Sequence, residues 1–570
     1  MAASLTLLLT LGLASASSLT WTPCGDGLDC ATLTVPLEYG ASSSGAKSGE
    51  AQIALARYNA TSPSSERLGS MLVNPGGPGG AGATFVKAGA GAAISAITDG
   101  RYDIIGWDPR GVGQSTPKLQ CFPNAGDEMY AYDVFPSGPD SWAGVFQDPE
   151  YDEKVRQEFE EFDVAAALLA ESCVEQDSPA LFTSSAAYVA RDMAAIVDAV
   201  DGKDALLNYW GFSYGTIFLA EFVQEFPGRI GRVVADGVVD PEANALTYAS
   251  QLANDQVSVR DALDDFFSMC EQAGTLCPLS EPPAGVVASM ATRFDKLLSS
   301  LYTEAVIAYD LPIDSEILIR VVWSYLRVPA FWPRLSMAIN QLEAGKRPKV
   351  LISMIADQFA DEPKDPQGPA RGLFIEFPLT CIDNAPSSHI TLEEIIQLTK
   401  SISIEQQTPL LTAGITPIAF CSHFPDRRPL LRAAGVSRMG AADAVLSEAK
   451  KTILIVNPQH DSTTPLKSAR KLRSLLPNSS RLAVRGGAGH TTPVLASLSL
   501  TETVRNFFVT AELPKADETY HAIDQLIFVP GEYTDENPLA PATYNGTYTE
   551  SQTKLLHANY NLTKAFLAIA

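Results

Sequence analysis

The sequence predicts an α/β protein: a mostly parallel central sheet flanked by helices, interrupted by a large, mainly helical lid insertion. Three observations predict it. Short β-branched and apolar runs alternate with helical patterns through residues 51–239, and strand patterns return at 452–487. The interval between them, 241–430, is rich in helical periodicity, Trp, Phe and Pro but offers few strand candidates.

In chain order, the strand candidates are "AQIALARY" (51–58), "GSMLVNPG" (69–76), "YDIIGWD" (102–108), "ALLNYWGFS" (205–213) and "GRVVADGVV" (231–239). Between the third and fourth of these sits "SSAAYVARDMAAIVDAV" (184–200). Its apolar positions Ala187, Val189, Ala190, Met193, Ile196 and Val197 fall near a 3.6 period, so it reads as a crossover helix with Thr183 or Ser184 as N-cap. After the insertion, "TILIVNPQ" (452–459) and "RLAVRGG" (481–487) resume the sheet, and "TPVLASLSLTETVRNFFV" (492–509) reads as a closing helix. The expected organisation is a signal peptide at 1–16, core at 17–240, lid at 241–430, core again at 431–514, and a Tyr/Asn/Pro-rich C-terminal extension of unassigned packing at 515–570. A length of 570 residues with 46% hydrophobic content suits this plan, because single cores stop growing near about 250–300 residues.

The first 18 residues carry an apolar run from Leu5 to Ala14 and then Ala14-Ser15-Ala16, a small-x-small cleavage pattern, so secretion is expected. No other apolar run approaches the ~20 residues of a spanning helix. Eight cysteines, none in a CxxC pair or a Cys/His cluster, favour disulfides over a metal site. Cys24 with Cys30 and Cys270 with Cys277 read as local loops, which leaves Cys121 with Cys173 and Cys381 with Cys421 as longer pairs. Acceptor sequons stand at Asn59, Asn478, Asn545 and Asn561. Sixty-six acidic residues against 41 basic give a net charge of −25, which disfavours nucleic acid and anionic membranes as partners. Neither cofactor nor metal is expected; the expected partner is a peptide or small-molecule substrate, with the oligomeric state open.

The chemistry centres on "NYWGFSYGT" (208–216). Gly-x-Ser-x-Gly alone is a weak signal, but here it ends an apolar run and opens a segment whose Leu219, Phe222, Val223 and Phe226 share one helical face. Strand, sharp turn and helix would lift Ser213 above the sheet edge. A serine needs a histidine to take its proton and an acid to orient that histidine, in the chain order Ser, acid, His for this arrangement. Asp461 and His490 follow two successive strand candidates in that order, with His460 read as a bystander. "NPGGPGGAG" (74–82) supplies a glycine-dense loop; Pro78 lacks an N–H, so the Gly77 amide and the Tyr214 amide are the expected oxyanion donors.

The segments "LVNPGGPGGAG", "YDIIGWDPRGVGQSTP" (102–117), "YWGFSYGT", "FPGRIGRVVADGVVDP" (226–241), "DSTTP" (461–465) and "GAGHT" (487–491) resemble the secreted tripeptidyl aminopeptidase branch of the α/β-hydrolases, relatives of proline iminopeptidases. The resemblance spans most of residues 20–510. It implies the α/β-hydrolase fold, Ser213 as nucleophile, Asp461 as acid, His490 as base, the Gly76-Gly77 loop as oxyanion site, and a Cys381–Cys421 pair across the lid. Family members tend to carry Trp three residues after the second of those cysteines; this chain has Phe424. Exopeptidases of this kind hold a free substrate amine with acidic side chains, which makes Glu376, Asp383, Asp240 and Glu242 the candidates. The resulting expectation is a secreted serine exopeptidase acting on free N-termini. The alternatives are an esterase or small-metabolite hydrolase using the same triad and, more remotely, a non-catalytic binding protein on a hydrolase scaffold.

Overall fold

A computed structural model describes residues 19–39, 49–136, 138–139, 151–283, 285–309, 311–357, 365–387, 389–406, 415–425, 436–531 and 539–569. The expected signal peptide at 1–16 and the expected lid end at 430 lie outside the described residues.

The strands are β1 (Thr22–Gly25), β2 (Leu28–Pro36), β3 (Glu50–Tyr58), β4 (Ser70–Asn74), β5 (Asp103–Trp107), β6 (Leu207–Phe212), β7 (Ile230–Asp236), β8 (Val306–Ala308), β9 (Leu311–Ile313), β10 (Ile453–His460), β11 (Ser480–Ala488), β12 (Glu518–His521), β13 (Gln525–Leu526) and β14 (Thr543–Tyr544). Ten of them form one sheet in the order β1-β2-β3-β5-β4-β6-β7-β10-β11-β12. The joins β1–β2, β2–β3 and β3–β5 are antiparallel, and from β5 to β12 every neighbour is parallel. The burial explains the sequence patterns. The central strands are covered on both faces and read as continuous apolar runs, as in Ile453–Val456, whereas the outer β2 alternates buried and exposed residues along Thr32–Pro36.

One face is covered by the helices Ala186–Asp201 and Gly215–Glu225 with Met439–Glu448 and Leu466–Leu475, packing Val189, Met193, Leu219 and Phe222 against the sheet. The opposite face is covered by Gly91–Ile97, Leu498–Thr510 and Glu550–Leu567. The last of these opens with a capping box between Thr549 and Gln552 and buries Ala558, Leu562 and Ala565 on the core. The C-terminal segment is therefore built into the fold, and its β12 extends the sheet beside β11.

Three local expectations are corrected. The helix at 186 has Ser185 at its N-cap, whose side chain makes no capping bond to the helix amides; a lid carboxylate, Asp383, instead accepts the Ala186 N–H at 2.8 Å. The strand expected over 231–239 stops at Asp236, because Gly237 turns the chain with φ +63°. The closing helix begins at Leu498, after a short 3-10 turn at Thr492–Val494.

The insertion has a hydrophobic core of its own, centred on Phe266, Leu318, Trp332 and Leu335, with β8 and β9 as a small hairpin. It also recruits the helix Tyr151–Glu175, which precedes the expected lid boundary. Val155, Phe159, Phe162, Ala166, Leu169 and Cys173 make a buried stripe at helical spacing along it. Disulfides Cys121–Cys173 and Cys381–Cys421 staple this layer, while Cys24–Cys30 and Cys270–Cys277 close short loops. Among the described residues no helix is long and apolar enough to cross a membrane.

Below the sheet edge, Arg110 forms a two-pronged ion pair with Asp192, Nε to Oδ2 at 2.7 Å and Nη2 to Oδ1 at 2.6 Å, with the Tyr39 hydroxyl donating to the same carboxylate at 2.7 Å. Both charges are about 1% exposed, so each depends on the other. Asp192→Ala is expected to destabilise the fold by about 3–5 kcal/mol in denaturant unfolding, because it strands the guanidinium; a loss below about 1 kcal/mol contradicts this.

Candidate active site

β6 ends at Phe212 and the next helix starts at Gly215, so Ser213 occupies a turn with φ +53°, a left-handed conformation unusual for a non-glycine residue. Ser213 N–H donates to Asp236 O at 2.9 Å, tying the turn to the end of β7. Two glycines make the turn feasible. A Cβ on Gly211 would lie 2.4 Å from the Tyr209 ring, and a Cβ on Gly76, at φ +97°, would lie 2.6 Å from Phe212 O and 2.8 Å from Tyr214 N. The loop after β4 therefore touches the turn backbone to backbone.

The three residues expected to converge do so. His490 Nε2 lies 2.9 Å from Ser213 Oγ, and His490 Nδ1 lies 3.0 and 3.1 Å from the two Asp461 oxygens. The carboxylate only accepts, so Nδ1 carries the proton and Nε2 is left to accept from the serine. Asp461 is fully buried and accepts the amides of Thr463 at 2.9 Å, Thr464 at 2.8 Å and Thr491 at 3.0 Å, plus the Thr464 hydroxyl at 3.0 Å. Burial by itself would raise its pKa. The His490 charge and hydrogen bond, with the Thr464 and Thr491 amides, outweigh burial and hold the carboxyl below its usual range.

Around Ser213 the amides divide cleanly. Gly76 N–H is committed to Asn74 Oδ1 at 2.9 Å, and Gly80 N–H closes the loop onto Gly76 O at 3.0 Å. Among the described residues, the Gly77 and Tyr214 amides have no acceptor. His460, one residue before Asp461, bonds Asp265 of the lid at 2.8 Å.

Sequence reading missed Asp236. It stands at the C-terminal end of β7, accepts the Thr492 amide at 2.7 Å and hydroxyl at 2.6 Å, and takes Trp210 Nε1–H at 3.3 Å. Burial pushes its carboxyl up to about 7. Its oxygens are spent holding the turn that follows His490, and the carboxylate that bonds the imidazole is Asp461. The one visible signal was an acid before Gly237 at a strand end.

The four candidate amine-binding acids separate. Asp240 caps the short helix Pro241–Asn244, accepting Glu242 N–H at 2.9 Å and Ala243 N–H at 3.2 Å. Glu242 pairs with Lys471 at the surface. Asp383 is buried, accepts Ala186 N–H through Oδ1 and the Tyr214 hydroxyl through Oδ2, and is raised to about 6 by burial. Asp383 thus spends both oxygens on structural bonds, while Asp240 caps a helix through Oδ1 and Glu242 holds Lys471 through Oε2. Glu376 differs. It opens the helix Glu376–Asp383 at the seam between lid and core, and has no ion-pair partner among the described residues. Solvent reaches its side chain, yet desolvation by surrounding protein dominates and raises its pKa, with Arg327 opposing the rise. Accessible but closely surrounded is the condition of a group lining a cleft. A Cβ on Gly79 would sit 3.2 Å from Ile375 and 4.0 Å from Glu376 N, so this helix start abuts the loop that carries Gly77.

Residues 69–268 match the family model described as alpha/beta hydrolase fold, and residues 428–520 match the one described as TAP-like protein. The chain is 34% identical over 231 residues to the tripeptidyl aminopeptidase of Streptomyces coelicolor, a match covering 40% of this chain and 38% of that one. It is 25% identical over 532 residues to serine protease Hip1 of Mycobacterium tuberculosis, covering 87% of this chain and 89% of that one. It is 30% identical over 257 residues to carboxylesterase B of Mycobacterium tuberculosis, covering 45% and 44%. The first and third matches thus span less than half of those relatives. Family models, sheet order and the Ser213–His490 contact agree: the chain has the α/β-hydrolase fold with a Ser-His-Asp arrangement at its strand ends, and its residues 428–520 are similar to TAP-like proteins.

Proposed function

We propose that this protein is a secreted exopeptidase that releases residues or short peptides from free N-termini through an acyl-enzyme on Ser213. The observation that carries the exopeptidase reading is Glu376, a solvent-reached carboxyl beside the oxyanion loop with no ion-pair partner among the described residues, which can receive a substrate ammonium. The peptidase names of two relatives agree with it.

In this reading Asp461 keeps the proton of His490 on Nδ1, and Nε2 takes the Ser213 proton as Oγ attacks the scissile carbonyl. The oxyanion of the tetrahedral intermediate accepts from the Gly77 and Tyr214 amides. The imidazolium then gives its proton to the departing amine as the C–N bond breaks, and water, activated by the same imidazole, hydrolyses the ester left on Ser213. The esterase alternative shares every step and draws on the carboxylesterase B likeness. It differs in having no use for Glu376.

Secretion rests on the apolar N-terminal run with its small-x-small end and on eight cysteines all paired, a state that persists in oxidising compartments. Among the four sequons, the Asn59, Asn478 and Asn545 amides donate to Asp29, Asp443 and Ile523 O, whereas exposed Asn561 is the proposed glycan site with the fewest bonds to break.

Three outcomes are expected. A fluorophosphonate labels the wild-type protein at Ser213, and Ser213→Ala lowers kcat by about 10⁶; a folded wild type that resists labelling contradicts the nucleophile assignment. Glu376→Gln raises KM for free peptides at least about tenfold, and the wild-type KM climbs as pH falls through the elevated Glu376 pKa, since only the carboxylate holds an ammonium. Equal KM for free and N-acetylated peptides sinks the exopeptidase reading in favour of the esterase. Protein recovered from culture medium begins at Ser17 by N-terminal sequencing; recovery of intact Met1 contradicts secretion by cleavage.

A further inference from the structure

We propose that Arg327 is a subsite for the free α-carboxylate of a short peptide substrate, on the leaving-group side of Ser213. The proposal deepens the exopeptidase reading and rests on it.

Position comes first. The Arg327 carbonyl accepts His490 N–H at 2.7 Å, and Pro329, two residues on, packs so tightly on Gly489 that a Cβ there would lie 2.9 Å from its Cδ. Residue 327 is thus fixed on the imidazole side of the serine, while Glu376 is fixed on the oxyanion-loop side. The imidazolium protonates the departing amine, so the side held by Arg327 is where the leaving group sits.

Charge balance comes second. Buried Arg110, Arg293 and Arg334 each have a carboxylate at 2.5–2.7 Å. Arg327 has none within 4.0 Å among the described residues; it lies 4.5 Å over the Trp323 ring and its Nε reaches only Ser324 O, at 3.5 Å. Its nearest charges, Glu376 and Asp461, act on it from beyond ion-pair range, and burial lowers its pKa by more than they restore. Arg485 also lacks a carboxylate within 4.0 Å among the described residues, but it is fully buried, out of reach of a substrate, and its Nη1 and Nη2 donate to Gly486 O and Ala488 O. Arg327 is only half-buried, which leaves a planar, two-pronged donor open at the seam.

A guanidinium beside the leaving group and a carboxylate beside the acyl group select a molecule charged at both ends. A peptide with free amine and free carboxylate fits, whereas a peptide amide, or a long chain whose terminus lies far away, leaves Arg327 unpaired.

The test is one kinetic panel of free tripeptides, their C-terminal amides and their N-acetylated forms on the full-length protein. Amidation is expected to raise the wild-type KM about tenfold or more, Arg327→Gln to erase that difference, and Arg327→Lys to restore part of it. Equal wild-type KM for acids and amides overturns the proposal without depending on any variant, as does an undiminished acid preference in Arg327→Gln. Sensitivity to N-acetylation is read separately: if it persists while amidation has no effect, the carboxylate subsite fails and the exopeptidase reading stands.

Discussion

The hydrogen bond between His490 Nδ1 and the buried Asp461 carboxylate is the constraint on which the site depends. It fixes which imidazole nitrogen carries the proton, and thereby whether Ser213 has a base at all. A carboxylate with no exposed surface survives there because three amides and a hydroxyl converge on it. Arg485 lies beneath, feeling Asp461, Asp236 and Asp265 together. Burial pulls its pKa down to about 10 even so, which still leaves it cationic at neutral pH. By donating to Gly486 O and Ala488 O it also braces the strand end that leads to His490. The acid, the base and the cation are thus one electrostatic unit built at the ends of two adjacent parallel strands.

The remaining architecture divides labour between layers. The sheet and its covering helices hold the reacting groups, while the helical layer brings Glu376 and Arg327 to the seam. Registration between the layers is made by polar contacts spread along the seam, among them Glu128 accepting the Arg371, Gly372 and Leu373 amides, Asn254 with Ser468, and His460 with Asp265. Asp383 is the most economical of them, since one carboxylate caps the helix at Ala186 and bonds the hydroxyl of Tyr214, whose amide faces the proposed oxyanion. The Cys381–Cys421 disulfide ties the same short helix to the rest of the lid. Phe424, where relatives tend to have Trp, stacks on Phe420 at 5.6 Å inside that layer, so the smaller ring is accommodated by packing.

What the sequence made legible was local or carried by strong pattern. The central strands announce themselves because burial on both faces demands unbroken apolar runs, and the Ser213 turn because glycines flank it between a strand and an amphipathic helix. What it hid depends on partners distant in the chain. The stripe of the helix Tyr151–Glu175 is flanked by many acidic residues, and it becomes meaningful only against helices more than a hundred residues later. The N-cap of the helix at 186 comes from residue 383, so no local capping rule could find it. Asp236, Asp240 and Asp383 look alike as carboxylates in a sequence. Only their hydrogen bonds separate a clamp, a cap and a lid pin from the one acid, Asp461, that reaches the imidazole.

That separation can be measured most directly by comparing kcat for Asp461→Asn and Asp236→Asn, both isosteric changes at buried acids near the same histidine. The account predicts a loss of about 10⁴ for Asp461→Asn, since an amide there favours the wrong tautomer, and less than about tenfold for Asp236→Asn. The reverse order, or equal losses, would contradict it.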